Sequence, residues 1–172
     1  LIFVEGYLFS LKRWYIKAKT PLSFEYCLIL LASTLELVRK KKCRMSKLII
    51  DAAKDNIFFM IINENNVYNI THENTKTNYE KLMILINNFL SEKKYDFKSI
   101  SKIYVNKGPG SFAGIRNSLS MVKAINLATK IDYYGFSFED FTGETNVKYE
   151  NIPYLCDKFN VKKNLIKPIY IS

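Results

Sequence analysis

Asn106-Lys107-Gly108-Pro109-Gly110-Ser111-Phe112-Ala113-Gly114-Ile115-Arg116 is the stretch around which the chain is organised. Before it, Ile100 to Val105 is short and rich in β-favouring residues, which predicts a strand. After it, Phe112 to Lys130 carries the spacing of a helix. The glycines therefore fall at a strand-to-helix turn. Gly108 and Gly110 give the backbone freedom there, and Pro109 stiffens it. Ser111 is placed to cap the helix. Two readings stand side by side: a tight connection, or a phosphate- or carboxylate-facing turn formed by Asp51, Gly108, Gly110 and Ser111. No Lys-Ser or Lys-Thr pair follows the glycines, so the turn is not a P-loop, and Phe112-Ala113 stands where a dinucleotide fingerprint needs its third glycine.

The helix after the turn shows two apolar stripes. Phe112, Ile115, Leu119 and Val122 form one, while Met121, Ala124, Ile125 and Ala128 form another displaced round the axis. A helix with one buried face shows one stripe, so this one is packed on two sides. One side covers a sheet, and the other needs a second helix, from this chain or from a partner. Gly114, Ser118 and Ala124 are small enough to let that helix approach closely.

Gly108-Pro109-Gly110-Ser111-Phe112-Ala113-Gly114-Ile115-Arg116 resembles the signature of the TsaB (YeaZ) family, GPGSFTGLRIG. The long helix follows as in that family, and Tyr133-Tyr134-Gly135-Phe136-Ser137 is similar to its next short strand. The resemblance runs from about Lys47 to the C-terminus. It implies the actin/sugar-kinase/Hsp70-like ATPase (ASKHA) fold and a part in making threonylcarbamoyladenosine on tRNA.

The chain in order agrees with that fold class. It has 172 residues, 48% of them hydrophobic, enough for one domain with a real core. Leu48 to Asp51, Ile57 to Ile62 and Val67 to Thr71 read as three strands, with Asn63-Glu64-Asn65-Asn66 as turn chemistry between the last two. Tyr79 to Leu90 reads as a helix with Thr77 or Asn78 as its cap. The Ile100 strand, the glycine turn, the long helix and a strand at 131–136 complete a βββαβαβ order. That is the α/β, mixed-sheet ribonuclease-H-like unit which the actin-like fold uses twice. Thr142 to Tyr149 reads as loop, and Ile166-Lys167-Pro168-Ile169-Tyr170-Ile171 resembles the family's closing strand. A second full half does not fit after Phe141, so the second domain is expected to be largely missing.

Residues 1–44 stand apart. They begin with Leu1, end in the basic run Arg39 to Arg44, and with the next two residues carry +6 of the +10 formal charge. Phe24 to Val38 is too short and too interrupted for a membrane span, and the order of apolar and basic segments is wrong for a signal peptide. Met45-Ser46-Lys47-Leu48-Ile49-Ile50-Asp51 looks like a genuine start. The expectation is an extension at 1–44 outside the working protein and a TsaB-like domain at 45–172, divided into a main unit at 47–141 and a short remnant at 142–172.

Several chemistries are disfavoured. Cys27, Cys43 and Cys156 have neither metal nor redox spacing, which fits a reduced, cytoplasmic protein. His72 is the only histidine and lies in a polar stretch. A metal-dependent nuclease needs converging carboxylates, but the strand before the glycine turn ends in Asn106. A serine hydrolase needs a nucleophile elbow, and Ser111 has none. The family's first strand usually ends in Ile-Asp-Thr-Ser; here Asp51-Ala52-Ala53 keeps the carboxylate and loses both hydroxyls. Nothing matches the two-histidine metal motif of the catalytic relative TsaD.

The resemblance then implies a non-catalytic partner subunit, with no catalytic residue, metal or cofactor of its own beyond a weak nucleotide at the partner interface. Its implied partners are a TsaD-like transferase and a TsaE-like ATPase. It would meet tRNA only through the complex, have no membrane contact, and form a homodimer when alone. The implied docking helices carry Tyr79, Met83, Ile86, Gly114, Ser118, Met121, Ala124 and Ala128. The alternative is a stand-alone nucleotide-binding ASKHA-like enzyme.

Overall fold

A computed structural model describes residues 46–170. The extension expected at 1–44 lies outside the described residues. Five strands form one mixed sheet: β1 (Ser46–Asp51), β2 (Asn56–Ile62), β3 (Val67–Glu73), β4 (Ile100–Asn106) and β5 (Asp132–Phe136), in the spatial order β3-β2-β1-β4-β5. β1, β2 and β3 pair antiparallel as a meander, while β4 and β5 run parallel to β1. This is the expected ribonuclease-H-like arrangement. Its parallel half requires crossover helices, and the helices after β3 and β4 are those crossovers.

Alternation along the strands separates two cores. Leu48, Ile50, Ile57, Phe59, Ile61, Ile103 and Val105 face one side, beneath α1 (Lys76–Glu80), α2 (Leu82–Glu92) and α3 (Phe112–Thr129). Ile49, Met60, Tyr104 and Phe136 face the other, beneath α4 (Ile152–Lys158). α4 buries Ile152, Leu155 and Cys156, with Pro153 in its first turn, where a missing N–H costs no hydrogen bond. It lies in the stretch expected to be only a remnant, and it closes the second face of the sheet.

Three expectations need correction. The helix read at Tyr79 to Leu90 bends at Lys81 into α1 and α2, and the bend lets both Tyr79 and Leu82 be buried. Its cap is Thr75, whose side-chain oxygen accepts from the Asn78 N–H, in place of Thr77 or Asn78. Residues 166–170 form no strand. That segment runs beside the glycine turn, where the Ile169 N–H donates to the Lys107 carbonyl at 2.8 Å. Pro168 lacks an N–H, which breaks the donor pattern a ladder needs.

Candidate functional site

Asp51 ends the central strand β1, and its carboxylate is fully buried. A buried charge requires donors, and three are supplied. Oδ1 accepts from the Ala53 N–H at 2.9 Å. Oδ2 accepts from Asn106 Nδ2 at 2.9 Å and from the Tyr149 hydroxyl at 2.7 Å. Asn106, at the end of neighbouring β4, uses its Oδ1 to accept the Gly108 N–H at 2.9 Å. The glycine turn is thereby wired to the carboxylate through one amide side chain.

Tyr149 is held by its own packing. Its ring stacks on Phe58 with centroids 4.2 Å apart and meets Phe138 edge-on at 5.4 Å. The Lys54 ammonium lies 3.8 Å from the Phe138 ring centre, within cation–π range. Burial first, and the Asp51 charge second, push the Tyr149 phenol far above its ordinary value of 10.0. The phenol therefore keeps its proton and acts as a donor. Tyr149 falls in a stretch read as loop, without periodicity to mark it; only the structure shows its role.

The glycine turn is tied inward as well. Gly108 has φ +106°, a region that glycine enters at little cost. The Ser111 N–H donates to the Ala53 carbonyl at 2.7 Å, and the Ser111 side chain caps α3 by accepting from the Gly114 N–H at 3.3 Å. At Gly110 and Gly114 an added Cβ would overlap the Ala53 and Ala52 carbonyl oxygens. Asp51, Gly108, Gly110 and Ser111 do gather at one end of the sheet, but the donors of Gly108, Ser111 and Gly114 are engaged by protein acceptors. The two carbonyls against the turn oppose an anion. Among the described residues no three His, Cys, Asp or Glu side chains gather to hold a metal.

The eight residues expected at a partner interface divide. Tyr79, Ile86, Gly114 and Ser118 are buried within this chain, which corrects the expectation for those four. Tyr79 donates from its hydroxyl to Ser111 Oγ at 3.0 Å and packs over Gly114. The Ser118 hydroxyl returns to the Ile115 carbonyl at 3.1 Å. Gly114 thus admits α1 of the same chain, while of the second stripe only Ile125 is buried. Met121 is half-buried, while Met83, Ala124 and Ala128 face outward. Ile84 and Phe112, each 57% exposed, and Leu127, 72% exposed, add apolar surface that the sequence reading did not place there. Phe112 leaves the core stripe because it sits in the first turn, where its ring meets Tyr170 with centroids 4.8 Å apart.

Residues 62–151 match the family model described as TsaD: tRNA N6-adenosine threonylcarbamoyltransferase. The chain belongs to this family. The TsaB (YeaZ) resemblance of the glycine turn is met by the relatives of this TsaD-family chain. It is 28% identical over 90 residues to the tRNA threonylcarbamoyladenosine biosynthesis protein TsaB of Buchnera aphidicola subsp. Schizaphis graminum (strain Sg), covering 52% of this chain and 43% of the relative. The chain therefore spans less than half the length of that curated relative. In fold it is similar to YeaZ from Pseudomonas aeruginosa, with a TM-score of 0.51, 17% identity, and coverage of 54% of this chain and 44% of that one. A second Pseudomonas aeruginosa structure, of an uncharacterized protein with similarity to peptidase YEAZ, gives the same TM-score and identity and is covered to 43%. Among the described residues no helix is long and apolar enough to cross a membrane.

Proposed function

We propose that this TsaD-family chain is a cytoplasmic, TsaB-type partner subunit in the formation of N6-threonylcarbamoyladenosine on tRNA. In this reading it does no catalysis itself and supports a TsaD-like transferase together with a TsaE-like ATPase. The observation that carries the reading is the outer face of α2 and α3, where Met83, Ile84, Ala124 and Leu127 are exposed on helices already packed on the sheet by their other sides. Exposed apolar side chains on two adjoining helices suit a protein partner. The Asp51 cluster is consistent with this role, because its carboxylate, amide and phenol bind one another and stabilise the junction of β1, β4 and the glycine turn.

The test is affinity for a TsaD-like protein. Isothermal titration of the chain into purified transferase should give a 1:1 complex, which Leu127→Glu weakens at least tenfold. Absence of heat and of co-elution would remove the reading. ATP hydrolysis by the chain alone, abolished by Asp51→Asn, would favour the stand-alone enzyme instead.

A further inference from the structure

The two edges of the sheet are finished differently. At the β5 edge the Asn164 N–H donates to the Tyr133 carbonyl at 2.8 Å, the Tyr133 N–H donates to Asn164 Oδ1 at 3.0 Å, and Tyr134 bridges to Lys163. At the opposite edge β3 has no such cover among the described residues. The Asn63 N–H donates to the Asn66 carbonyl at 2.9 Å, which sets the phase of the β2–β3 ladder. In that phase Tyr68, Ile70 and His72 turn their backbone groups to β2, while Val67, Asn69, Thr71 and Glu73 turn theirs outward. The Glu73 carbonyl is taken by the Thr75 N–H at 3.0 Å and by Asn78 Nδ2 at 2.8 Å. The rest of the outward row has no partner among the described residues.

A bare edge is normally blunted by lysine, proline or a bulge. β3 carries none of these. Val67-Tyr68-Asn69-Ile70-Thr71-His72-Glu73 keeps an unbroken register with β2, and its one acidic residue is its last. The strand is held firmly from the sheet side: Tyr68 meets Tyr95 edge-on with ring centroids 6.2 Å apart, and the His72 ring lies 5.7 Å from that of Phe59. Its residue types also read nearly alike in both directions from Ile70. Asn69 and Thr71, both uncharged, lie on the exposed face, and the rings of Tyr68 and His72 lie on the half-buried one.

We propose that β3 pairs antiparallel with β3 of a second copy of this chain, about a two-fold axis at Ile70, to make one continuous sheet. A two-fold contact needs a surface complementary to itself, and this strand supplies one. Asn69 then stands opposite Thr71 of the second copy, and their outward N–H and C=O groups satisfy one another. Tyr68 stands opposite His72, ring beside ring, and Ile70 opposite Ile70. Moving the axis by half a residue sets outward groups against inward ones, and moving it by a whole residue shortens the ladder. No like charges face each other in this register, since Glu73 falls opposite Val67. Seven residues make a short ladder, so the pair comes apart on dilution. The edge is separate from the outer face of α2 and α3, so this contact stands or falls independently of transferase binding.

The full chain is followed by sedimentation velocity between micromolar and near-millimolar concentration, with amide exchange by NMR at both ends of the range. The sedimentation coefficient should rise from that of a monomer toward that of a dimer. Exchange at Asn69 and Thr71 should slow as it does, while Ile70, already bonded to β2, should not change. The double variant Asn69→Lys/Thr71→Lys sets like charges opposite each other at exposed positions, and should weaken the dimer at least tenfold with its circular dichroism unchanged. Mixing it with Asn69→Glu/Thr71→Glu should restore a mixed dimer, which separates a broken contact from a damaged fold. A monomer at every concentration overturns the inference, and so does a dimer that the lysine pair leaves intact. Slow exchange at Asn69 and Thr71 in the monomer would show the edge covered from within the chain, and also overturns it. Dissociation by Leu127→Glu but not by the lysine pair would place the contact on the helix face instead.

Discussion

The Tyr149 hydroxyl donates a 2.7 Å hydrogen bond to Asp51 Oδ2 across 98 residues of sequence. That bond ties the first strand of the sheet to the segment leading into α4. Asn106 binds the same oxygen from β4, so one carboxylate joins three parts of the chain. In this TsaD-family chain the residue type that elsewhere suits metal or phosphate chemistry serves as a structural hub.

Tyr149→Phe removes one donor from a buried carboxylate while keeping the ring stacked on Phe58. The expected loss is about 1–3 kcal/mol in urea unfolding, with the folded-state circular dichroism unchanged. Asp51→Ala should cost more, because it also leaves Asn106 and Ala53 N–H without an acceptor. Equal stability of Tyr149→Phe and the parent would show that the bond is not formed in solution.

The buried small residues of α3 should control folding. Gly114 lies against the Ala52 carbonyl and Tyr79, and Ser118 is fully buried. Ser118→Arg is therefore expected to unfold the domain, since it places an unpaired charge where no water reaches. Leu119→Ala, in the core of α3, should cost about 2–5 kcal/mol. Melting followed by circular dichroism distinguishes these from Ala124→Glu, which should melt like the parent.

Alkali should weaken the fold ahead of the ordinary tyrosine range. Burial pushes the Cys156 thiol up from 9.0 to about 12, with the Asp157 charge adding to it. Burial likewise raises the Tyr104 and Tyr149 phenols above their usual 10.0. For each group the folded-state value lies above the unfolded one, so its stabilising contribution is complete below the unfolded value and is lost as pH rises toward the folded one. Stability should fall progressively above pH 9, and Cys156 should resist alkylation at pH 8 until the protein is unfolded. Peptide mapping after a short iodoacetamide pulse measures this, and rapid native labelling at Cys156 would contradict it.

At the acid end, Asp132 is held below its ordinary 3.8, chiefly by the Asn164 amide, which donates to its Oδ1 at 2.7 Å, with Lys163 adding to this. A lowered carboxylate stabilises above its unfolded value and ceases to as pH falls through the folded one. Asp132 is half-buried at the sheet edge and still screened by solvent, so the effect is small and local. Below pH 3.8 the contact of residues 163–164 with β5 should loosen, seen as faster hydrogen exchange at Tyr133 and Asn164. Asp132→Asn should show the same loosening at neutral pH.

The sheet was legible in the sequence because its strands are short apolar runs bounded by turn chemistry, as at Asn63-Glu64-Asn65-Asn66. The glycine turn and its helix were legible because Gly108, Ser111 and Ile115 each have one strong local preference. Other features arise from long-range contacts that leave no periodic mark. Tyr149 reaches Asp51 from a polar stretch, and α4 is only seven residues long. The two stripes of α3 signalled a second packing surface, yet pattern alone does not tell a helix of the same chain from a partner's. Gly114 faces Tyr79 of α1 and Ser118 is buried, while Ala124, Leu127 and Ala128 do not face inward.

The central claim is that the outer face of α2 and α3 docks a TsaD-like transferase. The direct measurement is the dissociation constant of that complex for the parent chain, Ala124→Glu and Leu127→Glu, with each variant first confirmed to be folded. The account requires binding by the parent and a weakening of at least tenfold in both variants, because each buries an unpaired carboxylate at an apolar contact. Folded variants that bind as tightly as the parent would contradict it.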